Sequence, residues 1–222
     1  MLEIITTADG SSSLYHPDLN ETYHSRNGAL AESMHVYIDA GFSYLLQRGE
    51  KAVNIFEMGF GTGLNAALTY KQWTHNKNVL VNYTTIEKYP VPIEIAVQLK
   101  YDGITDEPEI SKAYAEMHQS AWGSWFNLAT GFDVIKVEGD ITQYHHKGHY
   151  NLVYFDAFAP SKQAEVWQTE ILESLVAAMD RGGVLVTYCA KGQFKRTLKA
   201  LGLQVEALPG PAGKKQITRA HK

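Results

Sequence analysis

The residues best suited to chemistry fall at four places, each directly after an apolar run. The first is Glu57-Met58-Gly59-Phe60-Gly61-Thr62-Gly63-Leu64-Asn65. Glycines there let the backbone turn sharply and let a ligand approach it closely. A nicotinamide fingerprint wants its third glycine at position 64, which is Leu64, so a nicotinamide oxidoreductase is disfavoured. The second is Glu87-Lys88, with Glu87 placed to accept hydrogen bonds from two ribose hydroxyls. The third is Glu138-Gly139-Asp140, whose Asp140 suits either an adenine amino group or a turn cap. The fourth is Tyr154-Phe155-Asp156-Ala157-Phe158-Ala159-Pro160. Asp156 is placed to orient an amine and to stabilise positive charge growing on its nitrogen. A carboxylate also favours the ammonium form, so orientation precedes proton acceptance in its expected role. Phe158 offers a face to a base or a cation.

These sites need a scaffold that brings strand ends together. From residue 53 the pattern alternates strand and helix: strands over 53–58, 79–87, 132–137, 150–155 and 184–189, and helices over 63–73, 92–99, 108–121, 163–180 and 194–201. The 163–180 helix is expected to stop at Arg181-Gly182-Gly183. Two closing strands, 203–208 and 216–220, are joined by a short loop and should be antiparallel. Residues 2–24 read as a hairpin, and 28–40 as a helix with Leu30, Met34, Tyr37 and Ile38 on one face and Gly41 as its stop. The expected fold is α/β: a Rossmann-like, mostly parallel seven-stranded sheet with helices on both faces. Residues 1–50 form a small hairpin-plus-helix extension packed on a 51–222 domain. Ligands in such sheets bind beyond the carboxyl ends of the strands.

Composition narrows the setting. The chain has 222 residues, enough for one domain with a substantial core, and 45% apolar content. No apolar run is long enough for a membrane span, and the first twenty residues lack a basic-then-apolar leader, so a cytoplasmic location is expected. Cys189 is the only cysteine, which excludes an intrachain disulfide and reads as inert packing. The net charge is −4, yet residues 191–222 carry eight Lys and Arg against Glu206 alone. A basic end on an acidic body is either a polyanion footprint or a solvated surface. His145, His146 and His149 read as an exposed loop rather than a metal site, and no metal is expected. Trp122, Trp125 and Phe126 read as core or cleft cover.

The glycine loop, with Glu57 two residues ahead of it, resembles the first motif of class I methyltransferases. Asp156 to Pro160 resembles the fourth motif of amine-directed ones. With Asn27-Gly28-Ala29-Leu30-Ala31-Glu32-Ser33, Trp167 and Pro209-Gly210-Pro211-Ala212-Gly213-Lys214-Lys215, the chain resembles the methyltransferase half of the bifunctional tRNA wobble-uridine enzymes that complete 5-methylaminomethyl-2-thiouridine. The resemblance implies S-adenosylmethionine as cofactor, tRNA as partner, and methylation of the primary amine of 5-aminomethyl-2-thiouridine. It adds Tyr23, Asn27 and Glu32 to a cofactor set of Glu57, Gly59, Phe60, Gly61, Gly63, Asn65, Glu87, Lys88, Asp140 and Asp156. Asp156 and Phe158 are the expected catalytic pair. Phe158 and Trp167 are expected against a splayed base, and Lys191, Lys195, Arg196, Lys214 and Lys215 against phosphates.

The flavin-dependent oxidoreductase half of that family is not in this sequence, so a stand-alone methyltransferase fed by a separate amine-producing enzyme is expected. Pro211-Ala212 stands where the family favours phenylalanine-glycine. A polyamine synthase also carries an acid after its fourth strand, but the basic tail argues against it. A non-catalytic tRNA-binding domain is disfavoured by the intact loop with Glu87 and Asp156.

Overall fold

The computed structural model describes residues 2–101 and 106–222. Short strands β1 (Glu3–Thr6), β2 (Ser12–His16) and β3 (Glu21–Thr22) form an antiparallel sheet of their own, one strand more than a hairpin. The main sheet has eight strands in the order β10-β11-β9-β8-β4-β5-β7-β6. Its centre is parallel and built from β4 (Ala52–Met58), β5 (Leu80–Glu87), β7 (Phe132–Glu138), β8 (Tyr150–Phe155) and β9 (Met179–Thr187). The hairpin of β10 (Gln204–Pro209) and β11 (Gln216–His221) adds antiparallel to β9, as the short loop requires. The eighth strand is β6 (Trp125–Ala129), antiparallel to β7 at the other edge. It corrects the expected seven strands, and it leaves Trp125 55% exposed rather than in the core.

The chain runs from β4 out to β7 on one side and returns through β8 and β9 on the other, so the order reverses between β4 and β8. That is where a doubly wound sheet opens a crevice. One face of the sheet is covered by the extension helix, α3 (Leu64–Thr74) and α5 (Pro108–Gln119). The other is covered by α6 (Thr169–Ala178) and α7 (Gly192–Ala200). Two expected helices are shorter: residues 92–99 give only α4 (Ile93–Ala96), and 163–180 divides into a 3-10 turn at Ala164–Trp167 and α6. Gly182 and Gly183 lie inside β9 rather than ending α6.

The extension helix does not stop at Gly41. It runs from α1 (Ala29–Ser33) through a π-helical stretch, Met34–Ser43, into α2 (Tyr44–Gln47). The π stretch buries Val36, Tyr37, Ile38, Ala40, Gly41 and Phe42 together. Gly41 is there because of space: a Cβ would stand 3.1–3.2 Å from Val186, Leu152 and Tyr154. The helix backbone therefore rests almost directly on the sheet. Gly41→Val should cost about 1–3 kcal/mol by overpacking, read as a lower urea midpoint at an unchanged slope.

Candidate active site

The strand ends meet at Gly59 and Asp156. The Asp156 N–H donates to Met58 O at 3.2 Å, and a Cβ on Gly59 would lie 2.6 Å from Asp156 O. With φ of +91° at residue 59 as well, only glycine lets the loop pass beside β8. Beyond it opens a cleft of about 490 Å³, a volume suited to a small ligand.

Of the expected cofactor residues, Tyr23, Gly59, Phe60, Gly61, Asn65, Glu87, Lys88, Asp140 and Asp156 line this cleft, as does Phe158. Glu87 accepts from Gly61 N–H at 3.0 Å and from Tyr89 N–H at 2.8 Å. Burial pushes its pKa up while these backbone donors oppose the shift. Each carboxylate oxygen keeps a lone pair for a diol. Asp140 acts as a cap: one oxygen accepts from Thr142 N–H at 2.9 Å and the other pairs with Lys88 Nζ at 2.7 Å. Lys88 holds the Asp140 pKa low, so the carboxylate stays an acceptor for an amino group. Tyr23 closes over the loop, its ring 3.1 Å from where a Gly61 Cβ would stand and edge-on to Phe158 at 5.1 Å.

Asp156 is gripped at both oxygens. The Tyr37 hydroxyl donates to Oδ1 at 2.6 Å and the Asn65 amide to Oδ2 at 2.8 Å. Burial pushes its pKa up to about 6, with Tyr37 and Asn65 opposing. Its loop is bolted down: Tyr188 Oη donates to Ala157 O at 2.7 Å and Trp167 Nε1 to Phe158 O at 2.8 Å.

Several expected ligands stand elsewhere. Trp167 lies outside the cleft, packed against Phe155 and Phe194, so it supports Phe158 from behind rather than facing a base. Gly63 caps α3 at a left-handed φ of 73° and does not reach the cleft. Glu57 is fully buried behind it. Glu32 is buried too; it accepts from Ser25 N–H at 2.9 Å and pairs with Lys214. Asn27 packs against Gly213. Asn27 and Glu32 thus tie the Tyr23–His24 segment to the C-terminal turn. Lys214, stacked over Tyr188 at 4.0 Å, is engaged there rather than free for phosphate. Lys191, Arg196 and Lys215 are exposed and, like half-buried Lys195, lie outside the cleft.

Tyr37 and His24 were not among the expected site residues. Tyr37 carried a signal: a tyrosine on an apolar helix stripe needs a partner for its hydroxyl. His24 lines the cleft with Nδ1 3.0 Å from Ser13 Oγ, and burial pushes its pKa down to about 4, so it is neutral at physiological pH.

The family profile for S-adenosyl-L-methionine-dependent methyltransferases matches residues 112–222. This chain belongs to that family. The methyltransferase is 30% identical, over 98% of its length, to the tRNA 5-methylaminomethyl-2-thiouridine biosynthesis bifunctional protein MnmC of Cupriavidus necator, and 30% identical over 90% to its Burkholderia pseudomallei counterpart. It spans about a third of the length of these curated relatives. The structure of MNMC2 from Aquifex aeolicus matches all of this chain over 70% of its own, with a TM-score of 0.83 and 25% identity. Spermidine synthase from Thermotoga maritima shares the fold, at a TM-score of 0.57 and 15% identity.

The methyltransferase cleft fits the cofactor on its own features: a side-chain-free glycine wall, a carboxylate with open lone pairs at the end of β5, and room for an adenosyl group. Glu87→Ala should weaken S-adenosylhomocysteine binding by about tenfold or more in calorimetry, since hydrogen bonds to a charged acceptor contribute about 1.5–3 kcal/mol. Lys214→Ala, which strands the buried Glu32 carboxylate, should destabilise the fold by about 1–3 kcal/mol in thermal or urea unfolding.

Proposed function

We propose that this methyltransferase acts on tRNA, converting 5-aminomethyl-2-thiouridine at the wobble position to 5-methylaminomethyl-2-thiouridine. The observation that carries the reading is Asp156, a carboxylate held by two donors at the switch point beside Phe158. The relatives, named for biosynthesis of the same nucleoside, agree with it. S-adenosyl-L-methionine supplies an electrophilic methyl on sulfur. A carbon–nitrogen bond forms, the carbon–sulfur bond breaks with its electron pair left on sulfur, and the nitrogen loses one proton.

Asp156 serves each stage of this. Its two remaining lone pairs accept amine N–H bonds and aim the nitrogen. An alkylammonium has a pKa near 10, so proton transfer to an ordinary carboxylate is steeply uphill. Raising Asp156 from 3.8 to about 6 lowers that cost by about 3 kcal/mol. The carboxylate then faces the positive charge that returns to nitrogen as the methyl arrives. In this reading Tyr23 and Phe158 flank the base, and the 1–50 extension roofs the 51–222 domain.

Lys191, Lys195, Arg196 and Lys215 are the phosphate contacts in this proposal. Lys195 Nζ reaches Gln216 Oε1 at 3.2 Å, which brings the start of α7 beside the start of β11. Arg219 pairs with Glu206 and stacks on Tyr44, and Lys222 Nζ caps α6 through Val176 O, so these two serve the fold. Among the described residues no helix is long and apolar enough to cross a membrane. In this reading the enzyme meets its tRNA in the cytoplasm. The amine is supplied by another activity, a flavin-dependent oxidoreductase or another amine-producing enzyme.

In cells lacking the gene, mass spectrometry of tRNA nucleosides should show 5-aminomethyl-2-thiouridine accumulating; an unchanged profile overturns the proposal. Turnover should fall as pH drops through about 6, because the group is raised above its usual range and loses its charge there. Replacing Lys191, Lys195 and Lys215 by alanine should flatten the salt dependence of tRNA binding by about three in slope, with each phosphate contact contributing roughly one.

A further inference from the structure

Glu57 sits at the end of β4, two residues before the loop glycine that touches Asp156, yet it is 0% exposed and takes no part in the cleft wall. Neither of its oxygens makes a direct hydrogen bond of good geometry. The groups around it are Thr85 and Tyr83 from β5, Asn65 from the first turn of α3, and Tyr154 and Asp156 at the end of β8. No cation is among them. The Tyr83 hydroxyl, Thr85 Oγ1 and the Asn65 amide face Glu57 as donors, but none meets its oxygens at full hydrogen-bond geometry, and the hydroxyls find no other partner. A buried carboxylate with no cation and no full set of donors is costly, and the ordinary outcome is that it keeps its proton.

Asn65 touches both acids. Its amide nitrogen donates to Asp156 Oδ2 at 2.8 Å and also lies beside the Glu57 carboxyl. A neutral Glu57 makes little demand on that amide and can itself donate, so the nitrogen stays with Asp156. An ionised Glu57 accepts only. It would compete for the same amide hydrogens and set a second negative charge behind Asp156. Two neighbouring acids then divide the work, one neutral and one charged.

We propose that Glu57 is a positioning residue for methyl transfer, a neutral carboxylic acid that acts through Asn65 to keep Asp156 oriented and singly charged, and that it is not a cofactor ligand. Burial pushes the Glu57 pKa up to about 8, the Asp156 charge adding to the rise and Thr85, Asn65 and Tyr83 opposing it, so the device works at neutral pH and fails as pH climbs past that value. The inference rests on the role given to Asp156 in the proposed reaction.

The test compares wild type, Glu57→Gln, Glu57→Ala and Asp156→Asn in the full chain. Glu57→Gln should bind S-adenosylhomocysteine within about threefold of wild type, and Glu57→Ala should lose about tenfold or more in kcat at pH 7 that Glu57→Gln largely restores. Wild-type turnover should fall above about pH 8, and this alkaline limb should be missing in Glu57→Gln. Infrared difference spectra should show a protonated carboxyl band at pH 7 that is absent in Glu57→Gln. Cofactor affinity lost in Glu57→Gln with the alkaline limb intact overturns the inference, as does absence of the band in wild type. Glu57→Gln carries the comparison if Glu57→Ala fails to fold. A normal single-turnover rate in Asp156→Asn sinks the proposed reaction instead, and the infrared band and the binding data then still decide the charge and ligand role of Glu57.

Discussion

Everything in the site depends on keeping one negative charge, that of Asp156, in a place poorly suited to charge. Burial works against it, and so does the nearby Glu32 carboxylate. Two donors make the charge tolerable, Tyr37 and Asn65. Hydrogen bonds to a charged acceptor contribute about 1.5–3 kcal/mol each, enough to hold the group near pH 6 rather than far above it. The two donors come from different elements, so the charge fixes how those elements pack. Tyr37 reaches Asp156 only because Gly41 lets its helix settle on β8 and β9. Asn65 reaches it only because Gly59 lets the loop pass beside the Asp156 carbonyl.

The N-terminal segment is held from the opposite end of the chain. Lys214 pairs with Glu32, Asn27 packs on Gly213, and His35 Nε2 meets Pro209 O at 2.7 Å. Lys214 also covers Tyr188, whose hydroxyl holds the Ala157 carbonyl. A continuous set of contacts therefore runs from the roof over the glycine loop, through the last turn, to the residue after Asp156. Exposed ion pairs contribute little, but Glu32 is buried, and an uncompensated carboxylate there is expensive. The terminal Gly-Lys-Lys sequence is a clasp in its first lysine, and only its second lysine is left for solvent or phosphate.

The parallel core was legible because each strand was a run of apolar residues and each helix had a period or a proline start. The glycine loop, Glu87 and Asp156 were legible because strand ends in such a sheet converge. What failed was direction. Neighbouring residues on a strand face opposite ways, and motif spacing does not say which way Glu57 points. The basic tail failed similarly: a count of charges cannot separate Lys214, Arg219 and Lys222, spent on internal partners, from the exposed ones. Trp167 was legible as an aromatic near the site but not as a donor to Phe158 O. Strand β6 escaped because its edge position leaves an exposed tryptophan where a core pattern was sought. Gly41 carried a stop signal that packing overrode.

The charges left after this sorting differ between the cleft wall and the surface outside it. The cleft wall carries Asp18, Glu87, Asp140, Asp156 and Glu165 against Lys88 and Lys162, and Lys88 is already paired to Asp140. The cations with few internal partners, Lys191, Arg196 and Lys215, are exposed and lie outside it. An acidic cleft suits two positively charged guests, a sulfonium and an ammonium, and exposed basic residues outside it suit a polyanion. In the proposed reaction those guests and that polyanion belong to the same encounter, the amine being carried on a nucleic acid. A uniformly basic surface would draw phosphate into the cleft and stabilise the wrong group there. A uniformly acidic one would repel the tRNA before its amine arrived. In that proposed reaction, the separation would let phosphate contacts position the substrate while Asp156 alone meets the nitrogen.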